Sequence, residues 1–184
     1  MPRPLPTLCL LPTLRPLSTL CALLLGTALT APPAASQAAP VAIPATGGVP
    51  LPRPGQHWTL EARTADGETF RTTLRLSAAP PADPGTFRAD RGTLLLDAEA
   101  GTLIALDLQD ARDGGLGLAC AVRLNADRSA LEAAGVLASG TLTELPARLE
   151  AALAVLNVTR TPQQQEEAAR ELGLGSCALS VQIP

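Results

Sequence analysis

At 184 residues, 46% hydrophobic and 17% charged, the chain has the length and apolar content for about one packed domain, which excludes wholesale disorder. The formal net charge is −3, all 14 basic residues are Arg, and no basic run occurs, so the chain lacks the electrostatic footprint of a nucleic-acid binder. Aromatics are 2%, namely Trp58, Phe70 and Phe87, which argues against base stacking and flat sugar-binding platforms and leaves Leu, Val, Ile and Ala to build the core.

The N-terminus carries Arg3 and Arg15 and no acid before an apolar run from Leu17 to Leu29. That run is shorter than the ~20 residues of a membrane-spanning helix. A small-residue segment follows, and Ser36-Gln37-Ala38 fits a signal-peptidase site. The pattern predicts a secretory signal over 1–38, cut after Ala38, with an uncleaved anchor as the alternative. A lipid anchor at Cys21 is disfavoured, because Leu20 stands where a lipobox wants a small residue. The mature chain then carries 12 Arg against 17 acids, a net charge of −5, and no membrane span. Secretion or a periplasmic location is expected. The Arg-only basic set, with heavy Ala, Leu, Pro and Gly, points to a GC-rich bacterial genome.

Residues 39–56 hold Pro40, Pro44, Pro50, Pro52 and Pro54, and read as an extended linker or a strap. A β-rich domain is predicted over 57–184. Trp58, Leu60 and Ala62 alternate with Thr59, Glu61 and Arg63, and Asp66-Gly67 marks a hairpin. Phe70, Thr72, Leu74 and Leu76 share the next apolar face. Residues 78–85 are a loop, and Phe87 opens a short strand. Leu94 to Asp97 and Thr102 to Leu108 form a second hairpin, and residues 109–115 break the chain. Leu116, Leu118, Cys120, Val122 and Leu124 alternate along a strand that ends in the turn at 125–128. Leu131 to Gly140 reads as a strand, with a helix as the alternative.

The period then changes. Leu142, Leu145, Leu149, Leu153 and Leu156 are spaced by three and four, which predicts an amphipathic helix with Thr143 as N-cap and Pro146 in its first turn. A second, mostly polar helix starts at Thr161 as N-cap, with Pro162 at the first helical position and Gln164 closing a capping box, and ends at Gly173. Cys177, Leu179, Val181 and Ile183 alternate along a closing strand. The sum is a mainly β fold: an antiparallel sandwich or small closed barrel of about 7–8 strands, with two short helices before the C-terminal strand.

Cys9 and Cys21 leave with the signal, so Cys120 and Cys177 remain as an even pair on the apolar faces of their strands. An exported chain would join them. Closing the chain from 120 to 177 stabilises by about 4 kcal/mol on the chain-entropy estimate.

Candidate chemistry is thin. His57 is the one histidine and opens the first long strand, and no Ser sits in a nucleophile elbow. Ser176, in Gly173-Leu174-Gly175-Ser176-Cys177, follows a helix cap. Asp107, Asp110 and Asp113, followed by Gly114-Gly115, are weak metal candidates whose oxygens would suit Ca²⁺. Their spacing is not that of an EF-hand, and a solvated acidic turn is the commoner outcome. Residues 115–120 begin like a dinucleotide fingerprint but lack its third Gly and enter a strand, so no cofactor is expected. The expectation is an exported non-catalytic module: a structural or interaction protein that meets an envelope protein, or a barrel holding an apolar small molecule. The alternative is a small secreted hydrolase using His57 or an acidic pair.

Overall fold

The computed structural model describes residues 48–182. The signal segment with its cut after Ala38, Cys9, Cys21, Ile183 and the start of the proline-rich segment lie outside the described residues. The elements are β1 (Val49–Pro50), β2 (His57–Arg63), β3 (Thr69–Arg75), β4 (Thr86–Arg88), β5 (Gly92–Asp97), β6 (Thr102–Asp107), α1 (Gln109–Arg112), β7 (Gly117–Leu124), β8 (Ala130–Gly140), α2 (Leu145–Val158), α3 (Pro162–Glu171) and β9 (Gly175–Gln182). The strands form one 9-stranded antiparallel sheet in the order β3-β2-β9-β8-β7-β6-β5-β4, with β1 alongside β8. The sheet curls into a half-barrel. An isolated bridge between Leu76 and Ala89 ties its two edges together at one corner. The mainly β fold with short helices is therefore as expected, in its barrel form and not as two packed sheets.

Period two produces the interior. Trp58, Leu60, Leu74, Leu94, Leu103, Leu118, Cys120, Val122, Leu137, Cys177 and Leu179 are all buried on the concave side in one cluster. The Trp58 indole N–H donates to Gln56 Oε1 at 3.1 Å. The convex side carries a second cluster. There Ala119 and Ala121 of β7 and Val136 and Ala138 of β8 make a low floor for Ala152, Val155 and Leu156 of α2. β7 is consequently buried on both faces, with only Arg123 partly exposed.

β8 bends where it changes neighbours. Ala130 and Leu131 pair with β1, whereas Ala134 to Leu137 pair with β9, and the β7–β8 register slips between Val122 and Leu124. Gly135 sits at this bend, and any Cβ there would collide with the Ala121 carbonyl and the Val122 side chain. A bulge beside a close backbone contact is a common way for a sheet to turn a corner. The Cys120–Cys177 disulfide crosses this corner. It joins β7 to β9, second neighbours in the sheet, with Cα atoms only 5.9 Å apart. The pairing is the expected one, but β9 lies between β2 and β8 and does not pair with β7.

Other local departures have physical reasons. Residues 109–115 contain one helical turn, α1, instead of a plain break. The start of α2 is held by Thr141, not Thr143: the Thr141 N–H and hydroxyl both donate to Glu144 Oε2, at 3.1 and 3.0 Å. Leu142 lies in that turn and is 49% exposed, so it drops out of the predicted stripe, while Ala152 and Val155 join the buried face. α3 starts as expected: Thr161 Oγ1 accepts from the Gln164 N–H at 3.3 Å. The return bond reaches one residue further back, from the Arg160 N–H to Gln164 Oε1 at 3.0 Å. Gly173, at φ +65, ends the helix in a Schellman motif, with the Leu174 N–H bonded to the Ala169 carbonyl at 2.8 Å. No helix among the described residues is long and apolar enough to cross a membrane.

Candidate functional site

The residues that carried candidate chemistry are dispersed. His57 is exposed at the start of β2, between Arg75 of β3 and Gln182 of β9. Its ring makes no hydrogen bond among the described residues. Ser176 lies opposite Arg63, at the other end of β2. Six residues of strand place it about 20 Å from His57, far beyond the reach of a nucleophile and its base.

The three aspartates do not converge either. Asp107 ends β6 and is buried, with Oδ1 accepting from the Gln109 N–H at 3.3 Å. Its Oδ2 meets Arg91 Nε at 3.4 Å, and Arg91 Nη2 lies 3.9 Å from Asp110 Oδ1. The guanidinium supplies the positive charge between these two carboxylates. Asp113 stands apart, exposed at the C-cap of α1. Among the described residues no group of three or more His, Cys, Asp or Glu side chains is placed to hold a metal ion.

Two carboxyls titrate below their ordinary range, and both are structural. The Ser129 hydroxyl, then its N–H, hold Asp127 down in the β7–β8 turn. The Thr141 N–H, then its hydroxyl, do the same for Glu144 ahead of α2. Hydrogen bonds that favour the charged form lower a carboxyl pKa. Neither residue lines either of the two grooves described below.

The half-barrel offers no room inside. Trp58, Leu60, Leu74, Leu94, Leu103, Leu131 and Leu137 all show 0% exposure, so no water-sized void borders them. Among the described residues, two grooves lie on the convex side of the sheet. A smaller one, about 340 Å³, lies beside Arg91 and Arg112, where Arg91 is already engaged by Asp107 and Asp110.

The larger groove, about 630 Å³, runs between α3 and the β2–β3 hairpin. Its lining combines small residues, Ala134 of β8 and Gly175, Ser176 and Ala178 of β9, with the apolar side chains of Val136 and Leu174. One wall is α3, with Glu166, Ala169 and Arg170; the other is the Arg63–Gly67 turn. The walls carry both signs of charge. Arg170 pairs with Glu166 at 3.3 Å, and Glu61 pairs with Arg71 at 3.4 Å. Gln165 lies beneath α3 and lines the groove while only 6% exposed.

Reading the sequence missed this groove. Gln165 stands in a helix whose polarity marked it as a surface element, and a single Gln there carries no distinguishing pattern. The available signal was the Gln165–Ala169 spacing of four, which puts both residues on the buried side of α3. No family model matches the chain, and neither a curated protein nor a solved structure matches it.

Proposed function

We propose that this chain is an exported, non-catalytic interaction module of the bacterial envelope or extracellular space, working through its convex surface. The observation that carries the reading is the groove between α3 and the β2–β3 hairpin, a 630 Å³ cleft lined by small and apolar residues with a mixed-charge rim. It holds Ser176 but not His57, and two of its acids, Glu166 and Glu61, are held in ion pairs with Arg170 and Arg71. The filled interior argues against an apolar ligand held inside the barrel. A buried disulfide is compatible with an oxidising compartment, and the basic, then apolar, then small-residue N-terminus supplies the route there.

The test is fractionation of a bacterial host expressing the full chain with a C-terminal tag. The expected product is recovered outside the cytoplasm, begins at Ala39 and has no free thiol. A cytoplasmic product that retains Met1 and titrates with free thiols would overturn the export reading. A screen of esterase, peptidase and glycosidase substrates addresses the non-catalytic part. Turnover that disappears in His57→Ala or Ser176→Ala would replace it with the hydrolase.

A further inference from the structure

We infer that the outer edge of β3 takes up an acidic, extended segment of a partner protein as an added antiparallel strand. This surface lies apart from the groove beside α3, and the inference goes beyond the reading above without depending on that groove. The direction of the main-chain hydrogen bonds carries it. In an antiparallel ladder, alternate residues send their N–H and C=O to opposite sides. The Thr64 N–H donates to the Glu68 carbonyl at 2.9 Å, and the Leu76 N–H donates to the Gln56 carbonyl at 2.9 Å. The even-numbered residues of β3 therefore bond β2, and Thr69, Arg71, Thr73 and Arg75 point away from it. Arg75 is met at the closing corner: its carbonyl accepts from the Asp90 N–H at 3.2 Å, and its N–H donates to Asp90 Oδ1 at 2.9 Å. The outward groups of Thr69, Arg71 and Thr73 have no such partner among the described residues, because the chain turns beyond Asp90 into β5 and β3 ends the sheet. A row of main-chain donors and acceptors at strand spacing is complemented by another extended main chain.

The side chains along the edge define the partner strand. On the convex face Arg71 and Arg75 are 73% and 69% exposed. Each has an acid nearby, Glu61 at 3.4 Å and Asp90 at 4.0 Å. Single exposed ion pairs of this kind contribute little and leave most guanidinium donors free. On the inner face Phe70 is partly buried and packs against the interior, next to the buried Leu74. An incoming strand thus meets positive charge on one face and apolar surface on the other. The matching sequence alternates acids, opposite Arg71 and Thr73, with aliphatic residues, opposite Phe70 and Thr72. The same arginines disfavour a second copy of this chain. Antiparallel pairing of two β3 strands centred on Arg71 sets that residue against its own copy, and like charges directly opposite are destabilising. β4, the strand at the other end of the sheet, brings Arg88 and no acid.

The test adds short synthetic peptides to the oxidised chain recovered from the fractionation above and follows amide hydrogen exchange. One peptide alternates Val with Glu, and a second alternates Val with Lys. A third is the Glu peptide with its Glu nitrogens methylated, which removes the N–H groups that would face β3. The Glu peptide should slow exchange at Thr69, Arg71 and Thr73 and leave Phe70 and Thr72, already bonded to β2, unchanged. The Lys and methylated peptides should bind at least about tenfold more weakly. Arg71→Glu should reverse the preference between the Glu and Lys peptides. Thr73→Pro removes one outward N–H without touching a β2 bond and should weaken the Glu peptide about tenfold. If Thr73→Pro does not fold, the methylated peptide tests the same bonds. Unchanged exchange at Thr69, Arg71 and Thr73 in millimolar Glu peptide overturns the inference. Equal binding of the three peptides, or protection confined to β9 and α3, overturns it as well. None of these failures bears on the export reading, which the fractionation judges separately.

Discussion

The two flanks of the sheet are built differently. On one, β7 is covered on both faces, by the barrel interior and by α2, and flanked by β6 and β8 along its length. On the other, β3 packs one face inward, turns Arg71, Thr73 and Arg75 to solvent, and pairs with no strand on its outer edge from Thr69 to Leu74 among the described residues. The first flank holds the disulfide and the helix contacts; the second has arginines along an open edge, a common guard against edge-to-edge pairing. Stability is concentrated where both faces are covered, and access is left where one is bare. The groove runs along the seam between them, with α3 from the covered flank as one wall and the β2–β3 hairpin from the open flank as the other.

Removing the disulfide tests the covered flank most severely. The bond clamps β7 to β9 across the bend at Gly135, so the paired change Cys120→Ala, Cys177→Ala releases the curl as well as a long loop. The expected loss is about 4 kcal/mol on the chain-entropy estimate, measured by chemical denaturation of oxidised parent and variant. Hydrogen exchange should rise in β7, β8 and β9 more than in the β2–β3 hairpin. A loss under about 1 kcal/mol would mean that packing alone holds the curl, since large entropic effects are the norm for loops this long.

The covered flank was also the more legible one, though only on its inner face. Alternation at Leu118, Cys120, Val122 and Leu124, and at Cys177, Leu179 and Val181, placed both cysteines inward, and the interior is built that way. Ala119, Ala121 and Ala138 are equally buried under α2. Ala is too small to mark a buried face, so the strand read as one-sided. The strong caps were legible because Thr161 and Gly173 act within one turn of chain. Strand order was not, because nothing local says that β9 inserts between β2 and β8. β1 was hidden in a proline-rich segment, since a strand of two residues needs only Val49 and Pro50 against β8. The groove was invisible because much of its lining is small side chains, which carry the least signal.

Arg123 is the second lever on the covered flank. It is the one β7 residue not fully buried, and it ties α2 to the sheet. Its Nη1 donates to the Leu156 and Thr159 carbonyls at 2.8 and 2.7 Å, and its Nε meets Glu132 at 3.2 Å. These bonds satisfy carbonyls at the C-terminal end of α2, where a cation also complements the helix dipole. Arg123→Ala should cost about 2 kcal/mol, in the range of hydrogen bonds to charged groups. Arg123→Lys should recover only part of it, because a point charge cannot span both carbonyls and Glu132. Thermal melts of the three proteins check this. Equal melting temperatures for all three would mean that the Ala floor alone seats α2.

The smallest effect belongs to the open flank and has the opposite sign. Thr72 faces inward beside Leu60, and its hydroxyl is the buried side-chain polar atom found without a hydrogen-bond partner among the described residues. Val has nearly the shape of Thr without the oxygen, so Thr72→Val removes an unmet polar group and leaves the packing in place. The expected gain is about 1 kcal/mol, or about 3–5 °C in melting temperature for a domain of this size. Thr73, the next residue, points to solvent. Thr73→Val should stay within about 0.5 kcal/mol of the parent, which makes it the internal control for β propensity. A gain at both positions would trace the effect to strand preference, and a loss at position 72 would mean that the hydroxyl has a partner in solution. A gain at 72 alone would locate an uncompensated polar atom on the flank that the helices leave bare, on the strand that follows the groove's hairpin wall.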